Sequence, residues 1–341
     1  MKKIDVLYQF NEKYAPYAGV SITSLLENNT GFEQIRFFVL GENLSGDSVD
    51  RLRKLIEEHK REVRFIDSSA LMESMKKWGM PPYRGSYAAN LRLFLPYLLE
   101  EDIDEVLYLD ADTIVQGNLE ELIIAAKSVG EYALYMALDS LGMEHKYEIG
   151  LQKGEKYFNS GVILFRLSRW KQLSLSDKIV QHVKQIRANY PAPDQDLLNV
   201  VCRGEIGELP PEFNYQPVHV AFSDDSYCKI YSENDYYTKE QLQEARKAPC
   251  IYHFFRFMGE FPWDKGNRHP DGKLFDLYLK HSPWKDYEKK KVHLSMVFRV
   301  EKIMYILMPG ALYLRIFKAA HKLFIQKSNK MSLKNEINPD M

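Results

Sequence analysis

An α/β architecture with a mostly parallel sheet flanked by helices is the fold class this sequence predicts, on three observations. Short β-branched or aromatic runs alternate along the chain with longer stretches of helical period. With 45% hydrophobic residues in 341, the chain can fill the core of one large α/β domain or two small ones. Neither an internal repeat nor a low-complexity linker breaks the alternation before residue 284.

The elements follow in order. IDVLYQF (4–10) reads as a first strand, 15–28 as a helix and IRFFVLG (35–41) as a second strand. Residues 48–59 read as a helix, VRFID (63–67) as a third strand, and 89–99 as helical with Pro96 near its end. VLYLDADTIV (106–115) reads as a strand followed by a turn. This half has the pattern of a doubly wound nucleotide-binding sheet, which holds its ligands at the carboxyl ends of its strands, just after IDVLYQF and VLYL here. Beyond Tyr132 the strands are less regular: YALYMALD (132–139), YFNSGVILFRL (157–167), a helix near 177–189, and CIYHFF (250–255). Residues 1–284 are expected to form one domain with mixed strands in its second half, and 285–341 a helical, basic tail.

Charge and cysteine content narrow the setting. The 46 Lys/Arg against 47 Asp/Glu give a net of −1, with no global field to draw the protein onto nucleic acid. The distribution is uneven: residues 285–341 carry twelve Lys/Arg and five Asp/Glu, about +7, leaving about −8 on the rest. Three scattered cysteines without Cys-x-x-Cys spacing suggest neither a disulfide framework nor a cysteine zinc site, and fit a reducing compartment. The chain enters its first strand directly after Met-Lys-Lys, without the pattern of a secretory signal. In the tail the uncharged stretch 303–314 holds Pro309 and Gly310 and is shorter than the ~18 apolar residues of a membrane span. Val292–Ile325 mixes large apolar residues with spaced Lys and Arg behind Lys289-Lys290-Lys291, a composition suited to an anionic membrane surface, or else to a helical lid on the domain.

Alternation along an extended chain puts Asp110 and Asp112 on one face with Ala111 turned away. Two carboxylates in so small a volume repel unless they share a proton or cation, and a divalent metal bridging diphosphate oxygens is the usual answer. Alone, the pair also reads as the start of a turn. His253, in CIYHFF, reads as a core histidine or as an imidazole ligand for a manganese-like ion.

The run VLYLDADTIVQGNLEEL, then YFNSGVILF, then DQDLLN, then a late histidine before Gly and Pro-Trp, resembles glycosyltransferase family 8 over about residues 4–263. That family includes bacterial lipopolysaccharide galactosyl- and glucosyltransferases and glycogenin. The resemblance implies an A-type glycosyltransferase fold, a UDP-glucose or UDP-galactose donor, Mn²⁺ or Mg²⁺, and retention of anomeric configuration. It implies Asp110, Asp112 and His253 as metal ligands, with Asp112 also near the donor ribose and diphosphate, and Ala111 and Gly259 in the donor-binding motifs. Tyr14 matches an aromatic that stacks on uracil, Asn11 a base-contacting position often occupied by Asp, and Arg92 an arginine near the diphosphate and sugar. Taken alone, Tyr14 reads equally as a core aromatic and Arg92 as a surface helix charge.

Asp139 and Asn159 would lie around the transferred sugar and the acceptor, Asp194 on donor-sugar hydroxyls, and Gln195 beneath the anomeric carbon, with Asp196 the next carboxylate in reach. Asp194 also reads as a cap for the helix that follows. The family's late His-Gly-Lys-Pro-Trp motif is altered: HFFRFMGEFPW is longer and has Phe261 where lysine is expected, so that Arg256 and Lys265 are both candidates for the missing charge. The implied acceptor is a lipid-linked, polysaccharide or glycoprotein glycan, and the implied place is the cytoplasmic face of a bacterial membrane. Two other readings are a non-catalytic nucleotide-sugar or glycan binder and a sugar-nucleotidyltransferase. The latter is expected to carry a Gly-rich phosphate loop, which YQFNEKYAPYAGV lacks.

Overall fold

The computed structural model describes residues 2–83, 85–142, 145–186, 190–231, 236–320 and 323. Nine strands are formed among them: β1 (Lys3–Asn11), β2 (Gln34–Glu42), β3 (Glu62–Phe65), β4 (Glu105–Asp110), β5 (Thr113–Val115), β6 (Leu134–Leu138), β7 (Phe158–Arg166), β8 (Ile206–Glu208) and β9 (Ile251–His253). Seven make one sheet in the order β3-β2-β1-β4-β7-β6-β8. Only β7 runs against its neighbours; the other pairings are parallel. This is the mostly parallel, mixed sheet with flanking helices that the sequence predicts.

Burial explains the apolar runs. Strands β4, β6 and β7 bury nearly every residue, as strands covered on both faces must. The edge strand β3 is half-exposed and carries Glu62 and Arg64, charges that blunt a sheet edge. Helix Ala15–Asn28 begins with Pro16 in its first turn and is buried through Leu26. Its small residues let neighbours approach: a Cβ at Gly19 would stand 2.2 Å from the Trp284 ring. Ser21 Oγ links Tyr8 Oη and Thr113 Oγ1, each at 2.9 Å, tying the main sheet to β5.

Several expectations change in detail. The run 106–115 is two strands, because the chain turns at Ala111-Asp112 and β5 leaves the main sheet to pair antiparallel with β9. The 89–99 helix is a 3₁₀ run, Ala88–Tyr97, with non-helical backbone at Phe94, since Pro96 has no N–H to continue an α-helical ladder. The 48–59 helix starts earlier, at Gly46, where Ser45 accepts a hydrogen bond from Ser48 N. The helix expected near 177–189 is Leu175–Gln185, preceded by Leu167–Gln172; residues 187–189 lie outside the described ones. Helices Ser69–Trp78 and Leu119–Ser128 and strand β8 are additions.

The described part of the tail folds back on the domain. Tyr287 and Tyr17 hydroxyls meet at 2.9 Å, Lys265 N donates to Lys290 O, and Lys302 Nζ donates to Glu260 Oε1 at 2.6 Å. Helix Met296–Leu307 lays Phe298 against Gly259, and Tyr313 stacks on Phe222. The outward face of this helix is apolar: Met296, Val300, Ile303 and Leu307, at helical spacing, are all exposed, Leu307 by 76%. No helix among the described residues is long and apolar enough to cross a membrane. Residues 321, 322 and 324–341 of the tail, including Ile325, lie outside the described ones.

Candidate functional site

The site forms where β4 ends and β5 departs. Pairing of β5 with β9 places Thr113 opposite His253, and Phe254 N donates to Asp112 O at 2.8 Å. His253 Nε2 therefore lies 3.4 Å from Asp112 Oδ1 and 3.7 Å from Asp110 Oδ2. One ligand atom from each of the three residues falls within 4.8 Å of the others. Two carboxylate oxygens and an imidazole nitrogen suit a hard to borderline divalent ion, so the donor set fits Mn²⁺ or Mg²⁺. Burial works against a charge on His253, but the hydrogen bond and charge of Asp112, with Asp110 behind it, win and raise its pKa.

Arg92 is buried, not a surface charge. It donates through Nη1 to Ser160 O at 2.7 Å and through Nη2 to Asp110 Oδ1 at 3.1 Å, with Asp194 Oδ2 at 3.4 Å from Nη1. Its guanidinium lies 4.0 Å from the Tyr108 ring centroid. Tyr108 Oη also donates to Asp110 Oδ1, at 2.5 Å. Burial opposes the Arg92 charge, yet its anionic surroundings push its pKa up. Burial likewise raises the Asp194 pKa, and Arg92 restrains the rise.

Beside this pair the carboxamide of Gln195 is held at both ends. Its Oε1 accepts from Ser160 N at 3.0 Å, and its Nε2 donates to Tyr157 Oη at 2.9 Å and Asp139 Oδ2 at 3.1 Å. Asn159 Nδ2 also donates to Asp139 Oδ2, at 2.9 Å, and Leu141 N to its Oδ1. Tyr157 Oη donates to Asp196 Oδ1 at 2.7 Å, which His145 Nε2 meets at 2.8 Å. Ala192, ahead of helix Pro193–Val201, has no capping side chain; Asp196 Oδ2 accepts from Ala192 N, while Asp194, bonded to its own backbone N–H, is turned toward Arg92 and Ser160. Burial lowers the His145 pKa, but the bond to Asp196 outweighs it and the net shift is upward.

Asn11 is the exposed last residue of β1 and makes no capping bond. Tyr14 stands edge-on to Tyr17 and to Trp263, and Trp263 is sandwiched between Tyr17 and Phe261. Gly259 (φ 81°) faces Leu294 and Phe298 of the tail. Exposed Arg256 reaches over the Phe261 ring, at 5.1 Å. Thus Asp110, Asp112, His253, Arg92, Asp194, Gln195, Asn159 and Asp139 converge, with Ala111 at the turn, while Gly259 is taken up by the tail.

A family model described as glycosyl transferase family 8 matches residues 5–266. The chain belongs to glycosyltransferase family 8. This family 8 glycosyltransferase is 27% identical over 290 residues to the lipopolysaccharide 1,2-glucosyltransferase of Escherichia coli K12, covering 83% of this chain and 79% of that protein. It is 26% identical to the lipopolysaccharide 1,3-galactosyltransferase of Salmonella typhimurium, with the same coverage. The galactosyltransferase LgtC, solved with donor and acceptor sugar analogues, superposes with a TM-score of 0.64 at 25% identity, over 82% of this chain and 96% of that one. The A-type glycosyltransferase fold is therefore the fold of this chain.

Sequence reasoning missed Tyr108, Tyr157, His145, Ser160, Gly161 and Asn214 as parts of the site. Tyr108 had a usable signal, since on a strand it shares the face of Asp110 two residues on. His145 and Asn214 lie outside the strands, where no periodicity marks them.

Proposed function

We propose that this family 8 chain transfers a hexose, glucose or galactose, from a UDP-sugar to a glycan, glycolipid or glycoprotein acceptor with retention of configuration, in bacterial surface polysaccharide synthesis. The observation that carries the reading is the convergence of Asp110, Asp112 and His253 within 4.8 Å beside Arg92, Asp194 and Gln195. Bound by those three ligands, Mn²⁺ or Mg²⁺ would supply Lewis-acid neutralisation of charge on the leaving diphosphate.

The chain's own residues would do the rest. Tyr14 and Asn11, at the end of β1, would meet the base. Arg92 orients Asp110 and Asp194 by charge and hydrogen bonding. Asp194 and the carboxamide oxygen of Gln195 would face positive charge growing at the anomeric carbon, while Asp139 and Asn159 hold the carboxamide in place. An amide is a poor nucleophile. The bond from the anomeric carbon to the leaving oxygen would break as the acceptor oxygen bonds from the same face, its proton passing to the departing phosphate.

The exposed apolar face of helix Met296–Leu307, set in a basic segment, supports a peripheral position on the inner face of the cell membrane, with residues 285–341 as the anchoring unit. Screening UDP-sugars for UDP release with and without a chelator tests the enzymatic reading. Release that ceases with chelator and in Asp110→Asn and Asp112→Asn supports it, and no release with any donor would favour a binding protein. A β-linked first product from an α-linked donor would overturn retention.

A further inference from the structure

Asn214 ends the 3₁₀ turn Pro211–Asn214 and is buried. The chain beyond it runs beside β9, with Tyr215 N donating to Ile251 O and His253 N to Tyr215 O, so its side chain is fixed relative to His253. Asn214 Nδ2 lies 2.8 Å from Asn159 Oδ1, and Asn214 Oδ1 lies 3.0 Å from His253 Nδ1.

Amide orientations are ordinarily ambiguous, but a backbone N–H can only donate. Gly161 N donates to the Asn159 side-chain atom that faces Asn214, at 3.0 Å, so that atom is the oxygen. The Asn214 atom opposite it is then the NH₂ group, and the atom facing His253 is the carbonyl oxygen. Nδ1 of His253 must therefore carry hydrogen, and Nε2, which faces only the carboxylates of Asp110 and Asp112, holds either a second proton or a cation between them. The other half of the network follows the same logic: Ser160 N fixes the Gln195 oxygen, which turns the Gln195 NH₂ toward Asp139 and Tyr157.

We propose that Asn214 is a positioning residue that selects the Nε2-coordinating form of His253 and, through Asn159, ties the metal ligands to the Gln195 carboxamide, with the polarity of the whole network set by two adjacent backbone N–H groups of β7. Partners of this kind fix the tautomer and orientation of a ligating histidine, and losing one weakens metal binding about 10- to 100-fold. The proposal rests on the metal reading above, and its test separates the two.

Titration of the purified enzyme with Mn²⁺, following free Mn²⁺ by electron paramagnetic resonance, is the first arm. Asn214→Leu loses about 10- to 100-fold in affinity. Asn214→Asp, which keeps an acceptor against Nδ1, stays within about threefold of the parent and still loses turnover, because its carboxylate repels Asn159 Oδ1. Equal losses in both variants, or none in a folded Asn214→Leu, overturn the proposal. The second arm needs no metal: nitrogen-15 spectra of histidine-labelled enzyme, with His253 assigned by substitution and the ring neutral. The parent shows the Nδ1–H tautomer and Asn214→Asp retains it. The Nε2–H tautomer in the parent overturns the proposal even if Mn²⁺ binds, and a parent that binds no Mn²⁺ sinks the metal reading while the tautomer still decides this one.

Discussion

The imidazole of His253 occupies the space that a side chain at Gly161 would fill: a Cβ there would stand 2.0 Å from His253 Cε1 and 2.6 Å from Nδ1. Glycine on β7 thus makes room for a ring delivered by β9. Gly161→Ala is expected to push the ring off the Asp110–Asp112 turn, lowering Mn²⁺ affinity at least tenfold while the sheet stays folded. Calorimetric titration with circular dichroism as a fold control checks this, and parent-like affinity would show that the ring has freedom to move.

Arg92 is the buried cation between Asp110 and Asp194, so Arg92→Met leaves two carboxylates without their counter-charge. Breaking a buried pair from one side costs about 3–5 kcal/mol. The sign with pH follows from the Asp194 pKa. Burial already raises it, and without Arg92 it rises further. A carboxyl whose folded pKa is raised contributes most below its unfolded pKa, and that contribution is lost as pH rises through the folded value. Thermal unfolding from pH 4 to pH 8 is expected to show a deficit in Arg92→Met that grows with pH; a constant deficit would indicate lost packing alone.

Tyr157 Oη accepts from the Gln195 NH₂ and donates its own hydrogen bond to Asp196 Oδ1. Tyr157→Phe removes both bonds with little change in volume. Turnover is expected to fall about 10- to 100-fold with KM for the donor nearly constant, as a loosened group loses orientation more than affinity. Steady-state kinetics decide, and a rise in KM alone would place Tyr157 in substrate binding.

Asp271 has a buried carboxyl oxygen, Oδ2, with no hydrogen-bond partner, and burial pushes its pKa up from 3.8 to about 7. Its stabilising contribution is full below about 3.8 and is lost as pH rises through about 7. Asp271→Asn, which cannot ionise, is expected to unfold several degrees above the parent at pH 8.5 and to show no such gain at pH 5. A gain of equal size at both values would point to a new hydrogen bond.

Ile303 and Leu307 lie on the exposed face of the tail helix, and their replacement by Asp leaves the Lys302–Glu260 contact in place. The double variant is expected to leave anionic vesicles while releasing UDP at the parent rate. Salt should partly release the parent, its charges being screened beyond about 10 Å at 0.1 M. Vesicle co-sedimentation is the measurement, and undiminished binding would turn attention from this face to the lysines.

The sequence by itself determined the architecture and the residue types of the site. Apolar runs of strand length between helical stretches specify a sheet covered on both faces, because only such strands bury all their side chains. The pair Asp110 and Asp112 follows an apolar run, so its placement at a strand end was legible from that run. Alternation does not bring the two together, because the chain turns at Ala111-Asp112 and both carboxylates meet His253 across that turn. What only the tertiary structure decided was who meets whom. His253 reaches the pair because β5 leaves the main sheet for β9, a pairing across more than 130 residues that no local period encodes. Arg92 read equally well as a surface charge until Asp110 and Asp194 closed around it. At the start of helix Pro193–Val201 it is Asp196 that accepts from Ala192 N, while Asp194 is drawn to the buried guanidinium. Asn214 carried no signal at all: a buried amide's role lies in which donors and acceptors surround it, and those come from β7 and β9 only once the chain has folded.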